Sequence, residues 1–272
     1  MVRPVVWIIG GLILAPARAQ PPELLADFEQ ALAEFDQAQA IHVDRPQRAR
    51  QLYRLAAQRF RSIAATGIVT GALEYNLGNC LLQAGDLGHA ILHYRRAERL
   101  MPRDPMLGDN LSLARSRCLT AIPQTRGSTV LRNVFFWHYR TSSAARTRAA
   151  MWCYALFWAI LMVRSVFPWR FLTGLAIACA VVAAAAGASR AVDVWADRNA
   201  PDGVVTAMDV VVQKGPGQGY QRQFEQPLQP GVEFTLREKT RNGWWRIELA
   251  DGKTGWIPPG RAELVPDSGT AW

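Results

Sequence analysis

Gly71 to Pro105 reads GALEYNLGNCLLQAGDLGHAILHYRRAERLMPRDP, and this stretch decides how the N-terminal half folds. Tyr75-Asn76-Leu77-Gly78-Asn79, Gly85-Asp86, Ala90-Ile91, Tyr94, Ala97 and Pro102 stand at the offsets of a helix-turn-helix unit of about 34 residues. Gly78 lets the first helix approach the second, Leu77 and Leu81 fill the space between them, and Ala90 and Ala97 flank the large Tyr94 on the facing helix. Gly85-Asp86 ends one helix and caps the next, and Asp104-Pro105 repeats the device with proline at the first helical position.

The same phase extends in both directions. Asn110-Leu111 follows Asn76-Leu77 by one unit, and upstream Ala49, Tyr53 and Ala56 reproduce the spacing of Ala90, Tyr94 and Ala97. The pattern resembles a tetratricopeptide repeat, and residues 20–122 are expected to form an all-α array of about two and a half units. Repeats of this kind hold a peptide on the face lined by the first helix of each pair. Tyr75, Asn76, Asn79 and Asn110 are the candidate binding residues, the asparagine amides pairing with an extended backbone and Tyr75 supplying apolar contact. The competing reading is that these asparagines cap turns or face solvent.

Two features belong to membranes. Residues 1–19 combine Arg3, an apolar run from Val5 to Ala15 and Ala17-Arg18-Ala19 before Gln20, the pattern of a cleaved signal peptide. An uncleaved anchor is the alternative, and either version exports the chain beyond it. Residues 149–167 and 171–189 are apolar and long enough to cross a bilayer, so residues 149–189 are expected to form a two-helix transmembrane hairpin turning at Arg164 to Arg170. Trp152, Tyr154, Trp158 and Trp169 make the first span aromatic. Gly174, Ala178, Ala183 and Gly187 in the second are expected to allow close packing against it. A buried soluble helix pair is the competing reading.

Charge follows the same division. The net charge is +9, and residues 123–198 carry nine arginines against two aspartates, so the basic excess flanks the hairpin and points to anionic lipid headgroups, with no nucleic-acid partner. Arg126, Arg132, Arg140, Arg146 and Arg148 in the basic juxtamembrane segment 123–148 would favour the cytoplasm under the positive-inside rule. The signal peptide acts first during synthesis, and the predicted orientation follows it, with both flanking modules exported. Within that segment, residues 128–139 are read either as an amphipathic helix on the membrane surface or as a capping helix on the repeats.

After a linker at 190–202, the period changes to alternation. Val204 to Val212 is β-branched, Val232, Phe234 and Leu236 alternate with polar residues, as do Trp245, Ile247 and Leu249, and Asp251-Gly252 makes a hairpin turn into Thr254-Gly255-Trp256-Ile257. Residues 203–266 are expected to form a small all-β barrel, with 267–272 a tail. Gly243-Trp244-Trp245-Arg246-Ile247, Asp251 to Pro258 and Lys214-Gly215-Pro216-Gly217 resemble the bacterial SH3-like domain, for which peptides or wall components are the implied ligands. Tyr220, Trp244 and Trp256 are the candidate groove residues, a core position being the alternative for at least one tryptophan.

The order of parts, signal peptide, short repeat array, membrane hairpin and SH3-like domain, resembles the BatE-type aerotolerance proteins. That resemblance implies a scaffold in the bacterial inner membrane with its modules facing the periplasm. The implied partners are membrane proteins of an envelope complex, including von Willebrand A-type ones, in oxygen or stress tolerance. Peptidoglycan binding through the SH3-like domain is the alternative. Enzyme chemistry finds little footing, and no cofactor is expected. His89 and His93 stand four apart without an evident third metal ligand, and Gly215, Gly217 and Gly219 lack the spacing and following helix of a phosphate loop. Cys80 and Cys118 are poorly spaced for a disulfide, and Cys153 and Cys179 read as apolar residues of the spans.

Overall fold

The computed structural model describes residues 22–118, 141–167 and 169–265. The signal-peptide reading, the reading of 128–139 and the tail at 267–272 lie outside those residues. Seven helices and five short strands are described: α1 Pro22–Ile41, α2 Pro46–Ala65, α3 Gly71–Ala84, α4 Leu87–Leu100, α5 Pro105–Ser116, α6 Ser143–Val166 and α7 Arg170–Asn199, then β1 Asp202–Val205, β2 Glu233–Lys239, β3 Trp245–Leu249, β4 Thr254–Ile257 and β5 Ala262–Leu264. The chain divides into two compact bodies, one holding α1 to α5 with the sheet, the other holding α6 and α7.

In the first body the helix boundaries have local causes. Thr70 caps α3 by accepting from the Leu73 amide at 3.2 Å, and Gly85 ends it in the left-handed region at φ 87°. The Asp86 carboxylate accepts from the His89 amide at 3.2 Å to start α4, and Asp104 accepts from Leu107 at 3.0 Å with Pro105 opening α5. Phe28 against Phe60 and Phe35 against Tyr53 join α1 to α2 edge to face. A β-carbon on Gly78 would lie 2.6 Å from a ring carbon of the fully buried Tyr94, so only glycine permits the α3–α4 approach.

The sheet is antiparallel throughout, in the order β4-β3-β2-β1-β5. Its core gathers Val205, Val212, Phe234, Leu236, Ile247 and Ile257 on one face. The sequence predicts closure into a barrel, whereas the described ladder is open, with β4 and β5 as its edges. The β-branched run Val204 to Val212 does not continue as one strand. Beyond Val205, the Thr206 and Ala207 amides both turn to the Arg261 carbonyl at 3.1 and 3.2 Å, and Asp209 adopts φ 51°. Between β1 and β2 only isolated bridges form, Val210 with Leu228 and Gln213 with both Arg222 and Trp256.

In the second body, α6 and α7 pack side by side and extend past the predicted spans. Residues 143–148 and 190–199, read from sequence as juxtamembrane segment and linker, are helical. Ser142 caps α6 by accepting from Ala145, and Arg146 of α6 pairs with Asp193 of α7. The sequence places Gly174 and Gly187 at the helix contact. A β-carbon on either would meet open space, and the buried positions of α7 are Leu172, Ala176, Ala186 and Ser189. Arg146, Ala150, Cys153, Phe157 and Ile160 on α6 face Leu172, Ala176, Cys179, Ala183 and Ala186 on α7, alternating steps of three and four that average 3.5 residues. That repeat, set by bulk as well as smallness, chooses the seam.

Candidate functional site

α3, α4 and α5 place the four repeat residues singled out from sequence close together but in different roles. Tyr94 on α4 donates its hydroxyl hydrogen to Asn79 Oδ1 at 2.7 Å. Asn110 on α5 donates from Nδ2 to the same oxygen at 3.1 Å and to the Tyr75 hydroxyl at 2.7 Å. Tyr75 and Asn79 are buried, and removal from water pushes the Tyr75 phenol above its ordinary value. This network ties three helices together, so Tyr75, Asn79 and Asn110 serve the interior as well as any surface. Asn76 differs. It is 2% exposed, and neither atom of its amide has a hydrogen-bond partner among the described residues. Holding a buried amide unpaired costs about 1 to 3 kcal/mol.

The aromatic residues proposed for the β module differ in exposure. Trp244 is 8% exposed and belongs to the interior. Tyr220 is 55% exposed, with its ring over Gly215, where a β-carbon would come within 2.4 Å of it. Trp256 is half-buried on β4, opposite Arg246 in register. Each sheet edge carries one contact from elsewhere in the same body. Gln213 and Trp256 exchange two backbone hydrogen bonds of 2.8 Å along β4, and Arg96 on α4 donates to the Leu264 carbonyl of β5 at 3.1 Å.

The sequence did not anticipate how the helical array and the β module dock. Arg115 of α5 binds Glu233 of β2 through both nitrogens of its fork, at 2.9 to 3.0 Å. Arg95 reaches Asp202 at 3.0 Å, and His89 lies with Nδ1 2.8 Å from Asp86 and Nε2 3.4 Å from Glu263. Hydrogen bonds that the ring donates to these two carboxylates raise the His89 pKa to about 9, so its ring is a charged imidazolium at neutral pH. Glycines permit the approach. A β-carbon on Gly88 would lie 2.9 Å from both the Thr206 Cα and the Val205 carbonyl oxygen, and one on Gly231 would lie 2.8 Å from Ile91. The sequence signal was arginine on α4 and α5 against acids on the strands, hidden because the segments are individually near neutral.

His93 is held inside the array. Its Nδ1 is 2.7 Å from Glu74 in a buried pair, and burial lowers its pKa against the opposing pull of that carboxylate. Among the described residues no group of three His, Cys, Asp or Glu side chains is placed to hold a metal ion. Cys80 and Cys118 are not joined by a disulfide. Comparison with protein-family models, with curated proteins and with solved structures gave no match.

Proposed function

We propose that this protein is a membrane-anchored envelope scaffold that captures partner proteins or peptides through periplasmic tetratricopeptide-like repeats and an SH3-like module. The observation that carries the reading is the exposure of α6. Of its 24 residues only Arg146 and Ile160 are buried, and Trp152 is 71% exposed, which suits a lipid surround and is unfavourable in water. Both α6 and α7 are long and apolar enough to span a membrane. The unpaired Asn76 amide supports recognition by the repeats: at 2% exposure it is reached only when its neighbours part, and an extended polypeptide backbone then offers the donor and acceptor that it lacks. The partners suggested by the resemblance are membrane proteins of an envelope complex, including von Willebrand A-type ones, in a stress or aerotolerance role.

The test is capture from detergent-solubilised membranes by the full chain and by its Asn76→Ala variant. Retention of a defined set of membrane proteins by the wild type, with loss in the variant at an unchanged melting temperature, supports the reading. Equal capture by both removes Asn76 from it. Pelleting of the full chain with peptidoglycan in the absence of captured proteins would favour wall binding instead. An active alkaline phosphatase fusion after Trp272, with an inactive one at Phe167, supports the orientation.

A further inference from the structure

Helix α2 carries Arg48, Arg50, Arg54, Arg59 and Arg61 and no acidic residue, with Arg45 just before it. Its neighbour α1 carries five acids and no base, so the two helices segregate charge instead of interleaving it. Among the described residues Arg59 crosses between them, to Glu34 at 2.9 Å and Asp27 at 3.4 Å, while the Arg61 charge bears on Asp86. Arg45, Arg48, Arg50 and Arg54 are exposed, and no carboxylate pairs with them among the described residues. Arg48 bonds only Gln51, at 3.2 Å.

The opposite face of α2 is buried through Leu52, Tyr53, Ala56, Ala57, Phe60 and Ile63, so packing fixes which side the arginines present. Arg50 and Arg54 stand one turn apart, where like charges oppose helix formation. Leu55 lies on the same exposed side at 43% exposure. Arg50 and Arg54, two exposed guanidinium groups stacked on one face of α2 with no carboxylate partner among the described residues, suit a surface of phosphate groups, which each planar fork can grip with two hydrogen bonds.

We infer that the arginine face of α2 docks on the anionic phosphate headgroups of a bilayer. The inference rests on the reading of α6 and α7 as a membrane anchor. Connectivity favours lipid over an acidic protein. Only Ala200 and Pro201 separate the end of α7 from β1, which belongs to the same compact body as α2. Two extended residues reach about 7 Å, and the ten residues of α7 beyond position 189 add about 15 Å. Every copy inserted through α6 and α7 therefore keeps this body beside headgroups, at a high local concentration of phosphate.

The test uses the full chain in nanodiscs of phosphatidylcholine alone or with one-third phosphatidylglycerol, with phenylglyoxal modification of each arginine followed by peptide mass spectrometry. The expected result is that Arg50 and Arg54 react about 5-fold more slowly in the anionic discs. Arg241, exposed on the β module, should react equally in both, and the protection should vanish at about 0.5 M salt, where screening falls to a few ångströms. In the double variant Arg50→Glu, Arg54→Glu, protection of Arg61, exposed on the same face of α2, should be lost as well. Equal rates in the two lipids, or protection that requires added polyglutamate as a stand-in for an acidic protein, overturn the inference. Failure of the chain to remain in discs of either lipid overturns the anchor reading and this inference with it.

Discussion

Substitution of Gly88 by alanine should loosen the β module from the helical array while leaving α4 intact. The new methyl carbon would stand 2.9 Å from the Thr206 Cα and the Val205 carbonyl oxygen and 3.2 Å from the Pro230 β-carbon. Two of those neighbours are backbone, which cannot swing aside as a side chain can. Overpacking of this kind costs about 1 to 3 kcal/mol, and the gain in helix propensity, up to about 1 kcal/mol, accrues to α4 whether or not the module is docked. A loosening of about 1 to 3 kcal/mol raises the undocked population roughly 5- to 150-fold. Cys118 reports it, because its half-buried thiol lies 3.5 Å from the Pro230 carbonyl. Alkylation of Cys118 in the full chain should accelerate by that factor in Gly88→Ala. Gly108→Ala, also in the first turn of a helix but facing open space, should leave the rate unchanged. Equal rates in both variants would show that Gly88 does not govern docking.

Docking should also depend on pH. The His89 pKa is raised to about 9 from an ordinary 6.5, so its contribution is complete below about 6.5 and is lost as the pH rises through 9. Asp86 and Glu263 have lowered values, their contribution being present above the ordinary carboxylate range and lost as the pH falls through the folded values. Melting temperature followed from pH 7 to 10 should fall more steeply for the wild type than for His89→Gln; parallel curves would refute the assignment. Asn110→Ala removes two hydrogen bonds and should cost about 1 to 3 kcal/mol in urea unfolding, whereas Asn76→Ala removes an unpaired amide and should be neutral or stabilising. Equal losses would mean that Asn76 has an internal partner. Breaking the Arg146–Asp193 pair with Asp193→Ala should destabilise the α6–α7 pair by about 3 kcal/mol in detergent, since it removes the carboxylate partner of a buried guanidinium. Melting unchanged from the wild type would show the pair to be incidental.

Much of the helical half was legible because its signals are local. Gly85-Asp86 and Asp104-Pro105 act through capping bonds three residues long, and the Gly78 to Tyr94 approach spans one turn between adjacent helices. The asparagine network was not legible, since Asn110 reaches Tyr75 and Asn79 only after α5 has folded back on α3. A polar residue at a repeat position therefore reads equally as binding residue or internal brace until its partners are known. The helix seam was misread for a related reason. Gly174 and Gly187 are small enough to be at a contact, but a contact between two helices needs a continuous row, and they fall outside the one running from Leu172 to Asp193.

The docked β module changes what an experiment on this protein can isolate. Read as a string of segments, the chain shows a nearly neutral array followed by a nearly neutral module, and nothing suggests attraction between them. Neutrality of a sum conceals sign by position: Arg95, Arg96, Arg115 and protonated His89 lie on the side of the array that meets Asp202, Glu233 and Glu263. Deleting either part would strip partners from half-buried charges and uncover Ile91 and Cys118, so a deletion that abolishes capture would not separate a lost binding site from a damaged neighbour. Single substitutions away from that contact, Asn76→Ala in the array and Tyr220→Ala in the β module, separate the two. If partner capture survives Asn76→Ala but fails in Tyr220→Ala with the Cys118 alkylation rate unchanged, recognition belongs to the β module and the array is its support.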